Sequence, residues 1–204
     1  MISKDYTEFE AKFYPVDKEE YRKKLSSIGA KLVIPERKMI RVVGDRHANP
    51  VLPEHGNIRV RDEGNLIRLS LKTSAEKEGK LTDQKEVDVE VSDFEKTVTI
   101  LEACGIKFIR RQETLREEWN YKGAQITIDT WPGLEPYSEI EADSEEKIEE
   151  IAGDLGFDWN KKLIFASSHL FEKVYGMGYE DVLEKMSNLT FKDNPFEGMK
   201  KLWP

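Results

Sequence analysis

A single cysteine, Cys104, stands in a chain of 204 residues, so no disulfide can form within it and no cysteine-based metal cluster can be built from it. Cys104 falls at the apolar end of a predicted helix and is expected to be a small buried side chain. The three histidines, His47, His55 and His169, are too scattered to form a histidine metal site, and the first two fall in one loop where exposure is expected. No apolar run reaches the length of a membrane span. Met1-Ile2-Ser3-Lys4-Asp5 turns charged at once, without an apolar signal core, and a soluble cytoplasmic protein with no membrane partner is the expectation. With a formal net charge of −8 the chain lacks the basic excess by which nucleic-acid binders neutralise phosphates, so no nucleic-acid partner is expected. Glu63-Gly64-Asn65 reads as a turn and carries no phosphate-loop glycine pattern. Ser167 and Ser168 have no evident base near them in sequence, which leaves a nucleophilic role unsupported. No repeat, low-complexity tract or linker divides the chain, which is expected to form one domain over residues 1–190 with a tail over 191–204.

What the chain has in quantity is charge, 35% of residues against 38% apolar, and it is placed by alternation. In a strand successive side chains point to opposite faces, so Glu8, Glu10 and Lys12 share one face and Phe9, Ala11 and Phe13 the other. The same division recurs where Arg59 and Arg61 oppose Ile58 and Val60, and where Arg68, Ser70 and Lys72 oppose Ile67, Leu69 and Leu71. It recurs again where Gln84, Glu86, Asp88 and Glu90 oppose Val87, Val89 and Val91, and where Gln125, Thr127 and Asp129 oppose Ile126 and Ile128. Tyr137-Ser138-Glu139-Ile140-Glu141 repeats the paired carboxylate of the first strand. Strands that share one pattern while carrying both signs of charge are what a closed sheet with a charged interior needs.

Helices are expected to cover its apolar outside. Asp17 with Glu20, Ser92 with Glu95 and Asp143 with Glu146 read as capping boxes, and Gly29, Gly105 and Gly153 as the helix ends. Further helices are predicted over 163–175 and 179–187. Strands are predicted over 37–43, 58–62, 65–73, 84–91, near 107–112 leading to 115–121, 125–129 and 137–141, with 45–57 a loop, 74–82 exposed, and the tail a loop held by Phe196 and Trp203. The fold class is therefore α+β: a closed antiparallel eight-stranded β-barrel with a charged interior, flanked by helices.

Carboxylates at alternate strand positions present oxygens side by side, a donor set suited to Mg²⁺ or Mn²⁺, which commonly share their shell with substrate phosphates. Arginine forks and lysine ammonium groups suit the phosphates themselves. Trp119 and Trp131 are expected to pack, on a barrel wall and at a turn.

Glu8-Phe9-Glu10-Ala11-Lys12 resembles the ExExK signature of the CYTH superfamily, the triphosphate tunnel metalloenzymes, which include class IV adenylate cyclases, thiamine triphosphatases and inorganic triphosphatases. The resemblance continues in order through Ile58-Arg59-Val60-Arg61, Ser70-Leu71-Lys72, Glu86-Val87-Asp88-Val89-Glu90, Leu115-Arg116, Ile128-Asp129 and Tyr137-Ser138-Glu139-Ile140-Glu141. It implies that Glu8, Glu10, Glu139 and Glu141 bind metal, together with Asp129 and the further candidates Asp88 and Glu90. It implies that Lys12, Arg59, Arg61, Lys72 and Arg116 grip the triphosphate, and that Glu8, Glu10, Lys12, Glu139 and Glu141 carry catalysis. Of Arg110 and Arg111 only one can point inward, and Arg111 is taken as the added substrate contact. Thr114 departs from the pattern, since many members have a lysine there, and Lys161 and Lys162 are candidates to replace it. Lys85 falls on the face opposite the acids and is left out. The expected activity is a divalent-metal-dependent phosphohydrolase acting on inorganic or organic triphosphates, as a monomer or homodimer. The alternatives are conversion of ATP to cyclic AMP and pyrophosphate, and a module that binds polyphosphate or nucleotide without turnover.

Overall fold

Ala11 and Phe13 of β1 (Phe9–Phe13) are almost fully buried on the apolar face that alternation assigns them, while Glu10 and Lys12 point the other way into a charged cavity. This computed structural model describes residues 3, 6–73 and 79–203, so the expectation of an exposed 74–82 segment lies partly outside the described residues. The remaining strands are β2 (Lys31–Asp45), β3 (Gly56–Asp62), β4 (Ile67–Thr73), β5 (Lys85–Val91), β6 (Arg110–Tyr121), β7 (Ala124–Thr130), β8 (Tyr137–Ala142) and the short β9 (Asn188–Leu189). Eight of them form one antiparallel sheet in the order β1-β8-β7-β6-β2-β3-β4-β5, and β9 adds to β6 in parallel. The sheet curls into a half-barrel and turns its charged face inward.

The ring is not closed by a ladder. Between its two end strands, β1 and β5, the contacts are a single bridge from Thr7 to Lys85, the Glu8 N–H donating to the Gln84 carbonyl at 3.0 Å, and the Gln84 amide donating to the Glu10 carbonyl at 2.9 Å. Part of β1's outer edge is taken instead by Leu163, whose N–H and carbonyl pair with those of Lys12 at 2.9 and 2.8 Å. An edge already paired cannot also pair with β5, and the expected closed barrel is corrected to an open one on that ground.

The helices are α1 (Lys18–Ser27), α2 (Phe94–Ala103), α3 (Glu145–Leu155), α4 (Ser167–Tyr175) and α5 (Tyr179–Lys185). Asp17 caps α1 as expected, accepting the Glu20 N–H at 2.9 Å. The caps of α2 and α3 each fall one residue later than expected, at Asp93 and Ser144, where the extended residue places an acceptor over the first turn. Helix α3 runs past Gly153 to Gly156, whose φ of 85° is the left-handed cap that glycine adopts without strain. Strand β2 extends far beyond the expected 37–43 because bulges at Leu32–Ile34 and Ile34–Arg37 absorb Pro35 without ending the pairing. The strand expected near 107–112 is β6, which starts at Arg110 and runs without a break through to Tyr121.

Two apolar clusters back the charged wall. Helices α1 and α3 lay Leu25, Ile148, Ile151 and Leu155 against Ala11, Trp119, Ile126, Ile128 and Ile140. Helices α4 and α5 and the C-terminal segment gather Leu170, Phe171, Val174, Val182 and Phe196 around Trp131 and Tyr137. Trp203 stacks on Tyr14 at 5.2 Å. Helix α2 has no buried residue, and Cys104 at its end is exposed rather than buried, because this helix does not enter either cluster. No helix among the described residues is long and apolar enough to cross a membrane.

This division of labour predicts unequal costs of truncation. Leu25→Ala in α1, at 0% exposure, should lower the unfolding free energy by about 2–5 kcal/mol, whereas Ile100→Ala in α2, at 62% exposure, should change it by no more than about 0.5 kcal/mol. Urea denaturation of both variants checks this. Equal losses would show that α2 covers a core after all.

A candidate triphosphate site in the charged cavity

Register brings the charges together. Glu10 of β1 lies opposite Glu141 of β8, and Lys12 opposite Glu139. Asp129 of β7 lies opposite Arg116 of β6 on one side and Tyr137 on the other. Across the sheet Arg59 faces Ser70, Lys72 faces Glu86, and Arg61 faces both Arg68 and Arg41. Apart from the fully buried Ser70, these inward side chains line one cavity of about 1520 Å³.

One wall is acidic and threaded by lysines. Lys12 pairs with Glu10 and reaches to 3.6 Å from Glu139. Lys72 lies 2.6 Å from Glu8, 3.0 Å from Glu10 and 3.3 Å from Glu86. Burial would push Glu10 up, yet Lys12 and Lys72 hold it well below the usual carboxylate range. Glu86 is held low in the same way, against its burial, by Lys72, Arg59 and Arg61. Glu8 goes the other way: burial, and then the charges of Glu10, Glu86 and Glu141, push it up to about 8. Its Oε2 lies close to Lys72 but off the line of a hydrogen bond, and is a buried oxygen without a donor. Burial, and then the Glu10 charge, also raise Glu139 and Glu141. Glu141 is open to the cavity's volume, and no hydrogen bond or ion pair engages its carboxylate among the described residues.

The other wall is built of arginines. Arg116 Nε and Nη2 donate to Asp129 at 2.8 and 2.9 Å, and Nη2 also reaches Glu139 at 2.5 Å. The Thr127 hydroxyl donates to Asp129 at 2.6 Å, so this carboxylate positions Arg116 with both of its oxygens engaged. Arg59 donates to Glu86 at 2.7 Å, and Arg61 donates twice to the buried Glu63 at 2.9 and 2.6 Å.

The expected residues Glu8, Glu10, Lys12, Arg59, Arg61, Lys72, Arg116, Asp129, Glu139 and Glu141 all line the cavity. Arg111 does not. It is exposed and lies 6.0 Å from the Phe94 ring, while Arg110 lines the cavity and pairs with Asp45 at 2.8 Å. Because β6 is uninterrupted, counting back by twos from Arg116 through Thr114 and Gln112 lands on Arg110, and that count corrects the choice. On β5 the acid placed deep in the site is Glu86. Asp88 sits exposed at the cavity margin, 2.5 Å from Arg68, and Glu90 is exposed and outside the cavity lining. Lys161 and Lys162 also lie outside the lining, with Lys162 over the Trp159 ring at 4.1 Å. Sequence reasoning missed Arg41 and Glu63. Arg41 sits at the inward parity of β2, between the apolar Met39 and Val43, where the alternation of charge that marks the other strands is absent.

Oxygen is the donor type this wall offers a metal, and the carboxylates of Glu8, Glu10 and Glu139 gathered on it are a donor set that fits a hard cation. Among the described residues no three acids converge into a ready-made cage, since Lys12, Lys72 and Arg116 stand between them. Such a set suits a hard ion that takes one or two carboxylates and fills its shell with water and phosphate oxygens.

The model of the CYTH domain matches residues 7–175, and the chain belongs to that family. Among solved structures it is similar to a conserved hypothetical protein from Pyrococcus furiosus, with 23% identity and a TM-score of 0.63 over 76% of this chain and 94% of that one. It is also similar to a candidate adenylate cyclase from Vibrio parahaemolyticus, with 14% identity and a TM-score of 0.65 over 87% of this chain and 98% of that one. A third is a candidate adenylyl cyclase from Hippeastrum described as having a dominant triphosphatase activity, with 15% identity and a TM-score of 0.50 over 81% of this chain and 94% of that one. These likenesses establish the fold. Among curated proteins no sequence matches the chain.

The raised Glu8 generates a pH prediction for the metal-free protein. Between its ordinary value of 4.5 and about 8 the folded protein keeps a proton that the unfolded chain has released, so this contribution to stability is full below that window, falls as pH rises through it, and is gone above it. Glu10 and Glu86 are shifted downward, so their contributions are lost only in acid, below the window. Urea unfolding in chelator across the window should show a steeper fall in the parent than in Glu8→Gln. Parallel profiles would remove Glu8 as the raised acid.

Proposed function

We propose that the chain is a divalent-metal-dependent phosphohydrolase acting on inorganic or organic triphosphates. The observation that carries this reading is the two-walled cavity, in which acids suited to a hard cation face arginines suited to phosphate oxygens across one volume. CYTH family membership supports it, as does the triphosphatase activity ascribed to the relative from Hippeastrum.

In this reading Arg59, Arg61 and Arg116 bind the non-reacting phosphate oxygens and align the chain of phosphates, with Lys12 and Lys72 completing the grip near the acidic wall. Their present partners, Glu86, Glu63, Asp129 and Glu139, keep each guanidinium oriented before substrate arrives. Glu8, Glu10 and Glu139 would hold Mg²⁺ or Mn²⁺, which when bound supplies charge neutralisation at the phosphate oxygens. Glu141, open to the cavity and free of a cation partner among the described residues, is the carboxylate that orients the attacking water and accepts its proton. Asp129 acts through Arg116.

Hydrolysis asks only for the phosphates and a positioned water, so tripolyphosphate, which has no ribose, should release orthophosphate with Mg²⁺ or Mn²⁺ and none in chelator. Glu139→Gln, which keeps the shape and removes a charge, should lower turnover by about 10²–10³-fold while the protein stays folded. Cyclic AMP and pyrophosphate from ATP, with tripolyphosphate left intact, would overturn the hydrolase in favour of a cyclase. Binding without any product would leave a non-catalytic module.

A further inference from the structure

Seven arginines among the described residues line this cavity, and of the four whose charges act on one another, Arg41, Arg59, Arg61 and Arg116, three have an acid and one does not. Arg59 donates to Glu86, Arg61 to Glu63 and Arg116 to Asp129 and Glu139. Arg41 has no carboxylate partner among the described residues. Its Nε donates to the Gln112 side-chain oxygen at 3.0 Å, and its guanidinium carbon lies 4.0 Å from the centre of the Trp131 ring. No hydrogen bond from its two terminal nitrogens is made to a described residue.

Register makes this arrangement costly. Arg41 is the direct cross-strand partner of Arg61. Two cations at opposed positions on one face of a sheet repel each other, and a buried charge without an opposite charge is unfavourable. Burial, followed by the charges of Arg59 and Arg61, pushes Arg41 down to about 9, and burial with Arg59 and Arg116 pushes Arg61 down to about 10. Neither figure takes these groups out of the cationic form near neutrality.

The surroundings also hold the guanidinium still. Trp131 is 3% exposed, and its indole N–H donates to the Tyr137 hydroxyl at 2.8 Å, so the plane under Arg41 is fixed. Gln112 is 2% exposed, and its amide donates to the Met186 carbonyl at 3.0 Å, which fixes the acceptor that orients Nε. A planar fork held on one face and at one end, with its remaining donors directed at a polar cavity, is pre-organised for a planar pair of oxygens or two oxygens of a phosphate.

We propose that Arg41 is a substrate-binding residue of this cavity, whose guanidinium, held by Trp131 and Gln112, grips a phosphate group of the bound triphosphate jointly with Arg61. The inference rests on the triphosphate reading and deepens it: the substrate's own charge supplies the counter-ion that the protein withholds from Arg41. The opposing possibility is that Arg41 serves only to pack on Trp131.

Two readouts on the 204-residue chain separate these roles. Titration calorimetry with tripolyphosphate in Mg²⁺, run briefly or with the slower Glu139→Gln background, gives the dissociation constant; thermal unfolding without ligand gives the stability of the empty protein. Arg41→Gln should weaken tripolyphosphate binding by about 10- to 100-fold, the range for one charge-assisted contact, while leaving the empty protein as stable as the parent or more so, because like-charge crowding is relieved. Arg41→Lys, which keeps a cation but loses the fork, should bind with intermediate affinity. Arg41→Gln that loses empty-state stability and keeps the parent's affinity would overturn the proposal and leave a packing residue. If Arg41→Gln does not fold, Arg41→Lys with unchanged affinity overturns it in the same way. A parent that does not bind tripolyphosphate at all would overturn the triphosphate reading itself, an outcome distinct from either.

Discussion

Withdrawing ionised side chains from water is costly unless opposite charges or hydrogen-bond partners meet them, and this constraint shapes the inner face of the sheet. The inward faces of β3, β4, β5 and β8 each carry groups that would repel one another if the strand stood alone. The sheet order resolves this by placing basic β4 beside acidic β5, and Arg116 of β6 beside Asp129 of β7. Lys12 and Lys72 pass between the acids of β1, β5 and β8, so even the acidic wall is interrupted by cations. The apolar clusters then have a simpler task, which is to hold the outside of the sheet against α1, α3, α4 and α5 so that this register cannot slip. A slip by one residue would turn every charge into the core.

That same period of two is why so much was legible from the chain alone. Glu10, Lys12, Arg59, Arg61, Lys72, Asp129, Glu139 and Glu141 are each separated from an apolar neighbour by one position, and all eight line the cavity. The acids and bases of the site come from strands whose turns and lengths could be read, so knowing the face was enough to know the location. Where the reading failed, a longer-range fact decided. Choosing Arg110 over Arg111 needed the knowledge that β6 runs unbroken to Arg116. Glu90 has the parity of Glu86 but lies farther along β5, outside the cavity lining, and alternation carries no information about distance along a strand. Closure of the barrel failed because Leu163, remote in sequence, takes part of the edge of β1. Cys104 failed because the apolar face of α2 meets neither cluster, and a helix's periodicity does not say what it will meet.

Arg41 was invisible for the opposite reason. Its inward neighbours on β2 are Met39 and Val43, so the strand reads as ordinary apolar alternation broken by one charge. Only the three-dimensional register shows that this charge stands against Arg61 and that Gln112 and Trp131, from two other parts of the chain, take hold of it. Residues that belong to a repeated pattern are readable singly, while residues whose meaning lies in their neighbours across the sheet are not.

The pairing also bears on how the cavity receives a ligand. In the empty protein Arg59, Arg61 and Arg116 are bonded to Glu86, Glu63 and Asp129, so a phosphate chain that enters must share these cations with acids already present. Sharing favours an anion that brings compensation for the acids it leaves short, and a divalent cation is such compensation. The raised Glu8 and Glu139 point the same way: burial first, and then the neighbouring acids, push both up, and positive charge on their side of the cavity offsets the second cause. A bare polyanion would improve one wall and unbalance the other; a bare cation would do the reverse. An anion and cation arriving together satisfy both walls at once, and the mixed charge of the interior is in that sense complementary to a metal-bound triphosphate rather than to either component alone.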